Sequence, residues 1–221
     1  MRFGWTPALS AATILLAGTL HAQGVASGPA PRPTTGGSNV RIDTPQVRVF
    51  VATLQPHAPA RATAGHATHR VLIYLDEGQM TRQEGGGETQ TLRFSRGDVR
   101  WRAASGPYIA ENVGNRPIRI LEVDLKGPPS GQDATTPLDP TLVDAQHYSV
   151  LLENDYVRVL RVRYGPRETG ARHEHKLNRV VVYLNDQPNG KADDARIAGP
   201  ATHVEQNASD AAAERIAVEI K

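Results

Sequence analysis

Residues 175–184 read HKLNRVVVYL and residues 66–75 read HATHRVLIYL. His, Arg, Val, Tyr and Leu fall at the same places in both, and each stretch ends in the branched and aromatic residues that suit a pleated, half-buried surface. The likeness continues outward. DTPQVRV at 43–49 matches ENDYVRV at 153–159. Glu111-Asn112 followed by IRILEVDLK at 118–126 matches Gln206-Asn207 followed by AERIAVEIK at 213–221. Three blocks in one order amount to an internal duplication, which governs the fold ahead of local propensity.

The spacing of the copies carries more. Val47 and Val157 are 110 residues apart, His66 and His175 are 109 apart, and Asn112 and Asn207 only 95, so the second copy is 14 residues shorter between Leu184 and His203. That is about one β-hairpin, two strands of roughly 5–6 residues and a turn. The first copy keeps this hairpin around Gly85-Gly86-Gly87. Strands are expected at Val47–Leu54, Arg70–Leu75, Thr89–Phe94, Asp98–Arg102 and Ile118–Leu125, separated by turns such as 76–78 and 97–98. Short strands between turn signals argue an all-β sandwich or barrel.

Composition bounds the partners. The chain has 221 residues, 39% of them hydrophobic, enough for an ordinary packed core. It has no Cys, which excludes disulfides and an acylated-Cys lipid anchor. The net charge is +2 and no basic cluster is interleaved with aromatics, so nucleic-acid binding has no support. Arg48, Arg158, Arg161 and Arg163 read as solvent-facing strand residues. Arg2, the apolar run Ala8–Leu20 and Leu20-His21-Ala22 before Gln23 read as a secretory leader over 1–22, the other reading being an uncleaved anchor, although the apolar run is too short for a comfortable membrane span. Residues 23–38, rich in Pro, Gly, Ser and Thr, read as a disordered tether. Domains follow at 39–127 and 147–221, joined by a Pro/Gly-rich linker at 128–146. The expected location is periplasmic or secreted, with no membrane association after cleavage.

The chemistry concentrates at His173 and His175. An i, i+2 pair on a strand points to one side. With His203 the three imidazoles make a metal site with open positions. If the strand runs on unbroken, residues 173, 175, 177, 179, 181 and 183 share a face, which brings Arg179 and Tyr183 toward the same ligand. Arg179 would then clamp a carboxylate. The other reading is a bulge that turns Arg179 outward, or a pairing with Glu205. The first copy has Ala64 in place of the first His and offers a weaker pocket of His66, Arg70 and Tyr108, with Tyr74 at a matching position. His69 lies on the opposite face and reads as solvated, and His57 and His147 fall in loops without apparent chemistry. No G-x-S-x-G, phosphate-binding loop or Cys nucleophile is present.

These motifs resemble the cupin superfamily, small β-barrels often found in tandem as bicupins. His173 and His175 match the paired histidines of its first motif, and His203 with Asn207 matches the H-x3-N of its second. In the first copy Tyr108 stands where that second-motif His would be. The Glu that usually completes the metal set falls at Arg70 and Arg179. The resemblance covers most of residues 40–221 and implies two tandem double-stranded β-helix (jelly-roll) barrels, the C-terminal one lacking a hairpin. It implies one divalent transition metal on His173, His175 and His203, with Fe, Mn, Zn, Ni and Cu not distinguished. The ligand would be a small molecule such as a carboxylate, with oxygenase-type activity the first enzyme class to test. The alternative is a degenerate, metal-free cupin serving as a binding or structural module. Cupins often pair through edge strands, which implies a homodimer.

Overall fold

A computed structural model describes Met1 and residues 39–58, 61–63 and 65–221. The expected leader and tether therefore lie outside the described residues apart from Met1, as does Ala64. In the first copy the strands are β1 (Asn39–Asp43), β2 (Val47–Leu54), β3 (Arg61–Thr63), β4 (His69–Tyr74), β5 (Gly78–Glu84), β6 (Gln90–Phe94), β7 (Val99–Arg102), β8 (Tyr108–Asn112) and β9 (Ile118–Leu125). A short helix, α1 (Pro140–Val143), precedes the second copy. There the strands are β10 (Tyr148–Glu153), β11 (Val157–Tyr164), β12 (Thr169–His175), β13 (Arg179–Tyr183), β14 (Ala195–Ala198), β15 (Ala201–Gln206) and β16 (Ala213–Ile220). Among the described residues no helix is long and apolar enough to cross a membrane.

Each copy is two sheets facing one another. In the first, the order β1-β2-β9-β4-β7 faces β3-β8-β5-β6; in the second, β10-β11-β16-β13-β14 faces only β12-β15. The five-stranded sheets correspond strand for strand, and so do the pairs β3-β8 and β12-β15. The β5-β6 hairpin has no counterpart. It turns through Gly85 and Gly86, both with positive φ, a conformation open to Gly because it has no Cβ. The two copies are thus tandem barrels of one kind, and the second lacks the hairpin that its 14 missing residues would build.

Alternation along the five-stranded sheets explains the duplication. One parity faces the barrel interior and the other faces the partner sheet. On the partner-facing parity, Val49 and Val159, Val71 and Val180, Ile73 and Val182, Leu121 and Ile216, and Val123 and Val218 occupy equivalent places, all buried in one cluster drawn from both copies. Leu75 and Leu184 join it. The residues that repeat most faithfully are those that pack the copies together.

The barrel-facing parity has diverged. In the first copy, Leu72, Tyr74, Met80, Phe94, Ile118 and Ile120 form an apolar plug, with the Tyr74 and Phe94 rings stacked at 3.9 Å. Beyond that plug this interior becomes polar. Gly78 was expected in a turn but begins β5, a polar strand (GQMTRQE) with little hydrophobic signature.

Asn112 and Asn207 do the same structural work in both copies. Asn112 donates to the carbonyls of Leu54 (3.0 Å) and Arg116 (2.7 Å) and accepts from Gly114 N (2.9 Å). Asn207 donates to Gly165 O and Ala211 O, both at 2.8 Å, and accepts from Ser209 N (3.2 Å). Both are buried, so truncation strands backbone groups away from water. Asn207→Ala should cost about 1–3 kcal/mol in a urea titration. A loss within a few tenths of a kcal/mol would mean that water replaces the side chain.

The stretch between the copies is fastened to the second one. Asp139 caps α1, accepting from Thr141 N (2.9 Å), and takes Arg158 Nη1 at 2.5 Å. Glu174 N donates to Leu138 O (2.8 Å), and Thr136 Oγ1 donates to Glu174 (2.6 Å). On the other side, the short loop replacing the hairpin is tied to the first copy. Asp193 accepts from Arg96 (2.5 Å) and Arg119 (2.6 Å), and Arg96 also reaches Leu184 O.

Candidate functional site

Strands β12 and β15 pair so that His173 lies directly opposite His203, with His175 two residues along on the same side. The ring centroids are 4.5 Å apart for His173 and His203, 5.1 Å for His173 and His175, and 5.6 Å for His175 and His203. One ring nitrogen from each lies within 4.8 Å of the others. His173 and His175 are buried and His203 is half-buried, on the side where the second barrel lacks its hairpin.

The outer contacts orient these rings. His173 Nδ1 is 2.9 Å from Ala171 O, and a carbonyl can only accept, so that nitrogen carries a hydrogen. His175 Nδ1 is 2.8 Å from Glu219 Oε1, which fixes its tautomer in the same way. Glu219 also accepts from Arg158 Nε (2.7 Å), and Arg158 continues to Asp139. Burial would raise the Glu219 carboxyl pKa, but hydrogen bonds from His175 and Arg158 outweigh it and keep the group ionised. Arg158, expected on the solvent face with Arg161 and Arg163, is instead buried in the barrel. It has the opposite parity from those two, and Asp139 and Glu219 supply its counter-charge.

Tyr148 completes the inner wall. Its hydroxyl lies 3.1 Å from His173 Nε2 and donates to Glu205 Oε2 at 2.8 Å. A phenol has one proton, and the carboxylate takes it, so Tyr148 donates nothing to His173 Nε2. Burial raises the Tyr148 pKa, with Glu205 adding to it, and keeps the phenol protonated. Burial alone would raise Glu205, but Arg215 and the Tyr148 hydrogen bond hold it below its ordinary value.

Of the two readings of Arg179, the continuous strand is not what the chain forms. It leaves the two-stranded sheet after His175 and enters the five-stranded sheet at Arg179, so these residues do not share one strand face. Arg179 is nevertheless buried and donates to Gly199 O (2.6 Å). The alternative pairing with Glu205 is also absent, because Glu205 is bonded to Arg215. Tyr183 is buried, and its hydroxyl has no hydrogen-bond partner among the described residues.

The surroundings disfavour charge on two of the imidazoles. Burial, then the neighbouring His173, pushes His203 down to about 4. Burial also lowers His175, with Arg179 contributing, against the opposing pull of Glu219. Two rings anchored through Nδ1 and lowered pKa values at His175 and His203 together suit a divalent transition metal. Sequence reasoning missed Glu219 and Tyr148, set Arg158 in solvent, and offered Glu205 to Arg179 where it pairs with Arg215. The one signal for Glu219 was an acid at the same repeat position as Asp124.

In the first copy His66, Arg70 and Tyr108 do come together. His66 Nε2 is 3.1 Å from the Tyr108 hydroxyl, so this phenol is not alone. His69, expected to be solvated, instead stacks on Trp101 (5.5 Å) and Tyr156 (4.4 Å) between the copies. His147, expected to be idle, is buried between Asp144 (2.6 Å) and Glu168 (3.2 Å), stacked on Tyr164.

No protein-family profile matches the chain, and no curated protein matches its sequence. Solved structures do. AerE from Microcystis aeruginosa aligns with a TM-score of 0.59 at 11% identity, over 80% of this chain and 88% of that one. A cupin 2 conserved barrel domain protein from Leptotrichia buccalis aligns at 0.51 and 11%, over 84% and 88%. The fold is a cupin fold. Streptomyces albus HEPD, with 2-hydroxyethylphosphonate and Fe(II) bound, aligns at 0.58 and 10%, over 83% and 70%. Oxalate decarboxylase from Bacillus subtilis, whose structure concerns its Mn(II) centres, aligns at 0.56 and 10%, over 80% and 69%. At these identities it is the cupin architecture that is held in common.

Proposed function

We propose that this chain is an exported cupin-fold protein that holds one divalent transition metal on His173, His175 and His203 and presents it to a small anionic ligand. The observation that carries the reading is the convergence of three imidazole nitrogens within 4.8 Å, with two rings anchored through Nδ1. Bound there, the metal would supply open coordination positions and Lewis acidity. Glu219 and Ala171 O hold two rings in register, and Tyr148 keeps a neutral hydroxyl beside His173.

Charge favours an anionic ligand. Asp139, Glu205 and Glu219 are matched around the site by Arg158, Arg179 and Arg215. A dication added to this balanced set leaves two positive charges in a buried cavity, a costly state unless an anion joins it. Arg179 and the unpartnered Tyr183 hydroxyl are the groups assigned to that ligand. Two proteins of similar fold pair a metal with a small anion, Fe(II) with 2-hydroxyethylphosphonate in one and Mn(II) in an oxalate decarboxylase in the other. If the protein is an enzyme, oxygenase-type chemistry is the first to assay.

Metal analysis of protein purified without a His tag tests the reading. About one transition-metal ion per chain is expected, lost in His175→Ala while the far-ultraviolet spectrum stays unchanged. Restoring metal to stripped protein should raise Tm in proportion to RT ln(1 + [L]/Kd). Folded, metal-free protein whose melting ignores added Fe(II), Mn(II), Zn(II), Ni(II) and Cu(II) would favour the metal-free module instead. The edge of β15, unpaired among the described residues where the hairpin is missing, supports a homodimer, which light scattering reads directly.

A further inference from the structure

The polar end of the first barrel gathers arginines that the fold leaves short of partners. Arg70 and Arg102 are directly opposite on β4 and β7, and Asp124 faces Arg70 from β9. Like charges placed directly opposite across a ladder repel. Arg70 is 1% exposed and Arg82 6%. Among the described residues, Arg70 Nε and Nη1, Arg82 Nη2 and Arg102 Nε are buried with no hydrogen-bond acceptor. Each such donor costs free energy unless something accepts from it.

The surroundings set what that something is. Arg82 Cζ lies 3.5 Å from the centre of the Tyr108 ring, and the Tyr108 hydroxyl reaches His66. Arg82 also pairs with the exposed Glu84 at 2.6 Å, while Arg70 Nε is 3.3 Å from Glu122 Oε2. His66, Glu122 and Asp124 bring ligand atoms within 4.8 Å of one another, a set that could hold a cation. Two features oppose a cation. Arg70 and Arg82 stand against the set, and burial pushes the Glu122 carboxyl up to about 7, so its charge is only partly developed at neutral pH. Burial, then Arg70 and Arg82, pushes His66 down to about 4 and keeps it neutral.

We propose that the polar end of the first barrel is a binding site, independent of metal, for a small oxyanion (a carboxylate or phosphoryl group) held by Arg70, Arg82 and Arg102 beside Tyr108 and His66. Guanidinium forks with free N–H groups match the oxygens of such a group. The apolar plug of Leu72, Tyr74, Met80 and Phe94 closes the barrel beyond it and limits the ligand to a small one. The site is separate from the three-His cluster and stands whether or not that cluster holds metal.

Calorimetric titration of the full chain in low-chloride buffer tests this, with sodium malonate and inorganic phosphate as separate probes. His173→Ala/His175→Ala protein serves as the background, so that anion bound to a metal is not counted. One anion per chain is expected in that background. Malonate alone identifies a carboxylate site and phosphate alone a phosphoryl site. Arg82→Gln should weaken binding about 10-fold or more, with Arg102→Gln as a second variant on a more exposed strand. Tyr108→Phe should weaken it less. No heat from either probe in folded protein would overturn the proposal. So would binding that is unchanged in both arginine variants, or Mn(II) binding in that background strengthened by Arg70→Gln.

Discussion

Glu219→Gln should lower stability by about 3–5 kcal/mol and weaken metal binding by roughly 10–100-fold. Both effects come from one fully buried carboxylate. Its two oxygens accept from His175 Nδ1 and Arg158 Nε, and an amide can present only one acceptor to those two donors. Arg158 keeps Asp139 but loses half of its counter-charge inside the barrel, where an uncompensated guanidinium is costly. His175 keeps its position in β12 and loses the contact that selects its tautomer. Urea titration of metal-stripped protein reads the first effect, and metal titration at a denaturant-free temperature well below Tm reads the second. A variant as stable as the parent would show that water or a side-chain shift satisfies Arg158, and the buried network described here would be wrong.

The second large effect belongs to the seam between the copies. Leu121→Ala removes a fully buried side chain from the cluster shared by both five-stranded sheets, at an expected cost of about 2–5 kcal/mol. Ile216→Ala, at the equivalent place in the second copy, should cost a similar amount. Because that cluster takes residues from both copies, either variant should shift one calorimetric transition as a whole. Two separate transitions, or a variant that melts one half and leaves the other, would mean that each barrel is stable without its neighbour.

Much of this was legible because the interface parity of the sheets is apolar and repeated. Strands β2 and β9 could be placed end to end from alternation alone, and the three offsets located the absent hairpin before any coordinates did. The three histidines could be grouped because two share a strand and the third sits at a motif spacing. What stayed hidden has physical reasons. Strand β5 carries little apolar patterning, since its inward residues include Arg82. Arg158 looked like Arg161 and Arg163, although parity separates it from them, and of the three only Arg163 is exposed, since Arg161 reaches Gly97 O. Glu219 and Tyr148 reach the histidines across 44 and 25 residues of chain, contacts that only the closed fold creates. The break between His175 and Arg179 was invisible because a change of sheet leaves no mark on a run of strand-forming residues.

The staple from Asp193 to Arg96 and Arg119 bears on how a barrel can lose part of its wall and persist. The shortened connection borrows its rigidity from the intact copy, whose guanidinium groups hold it in place. One half of the molecule therefore acts as a splint for the other. A lone second copy would have to supply that support itself.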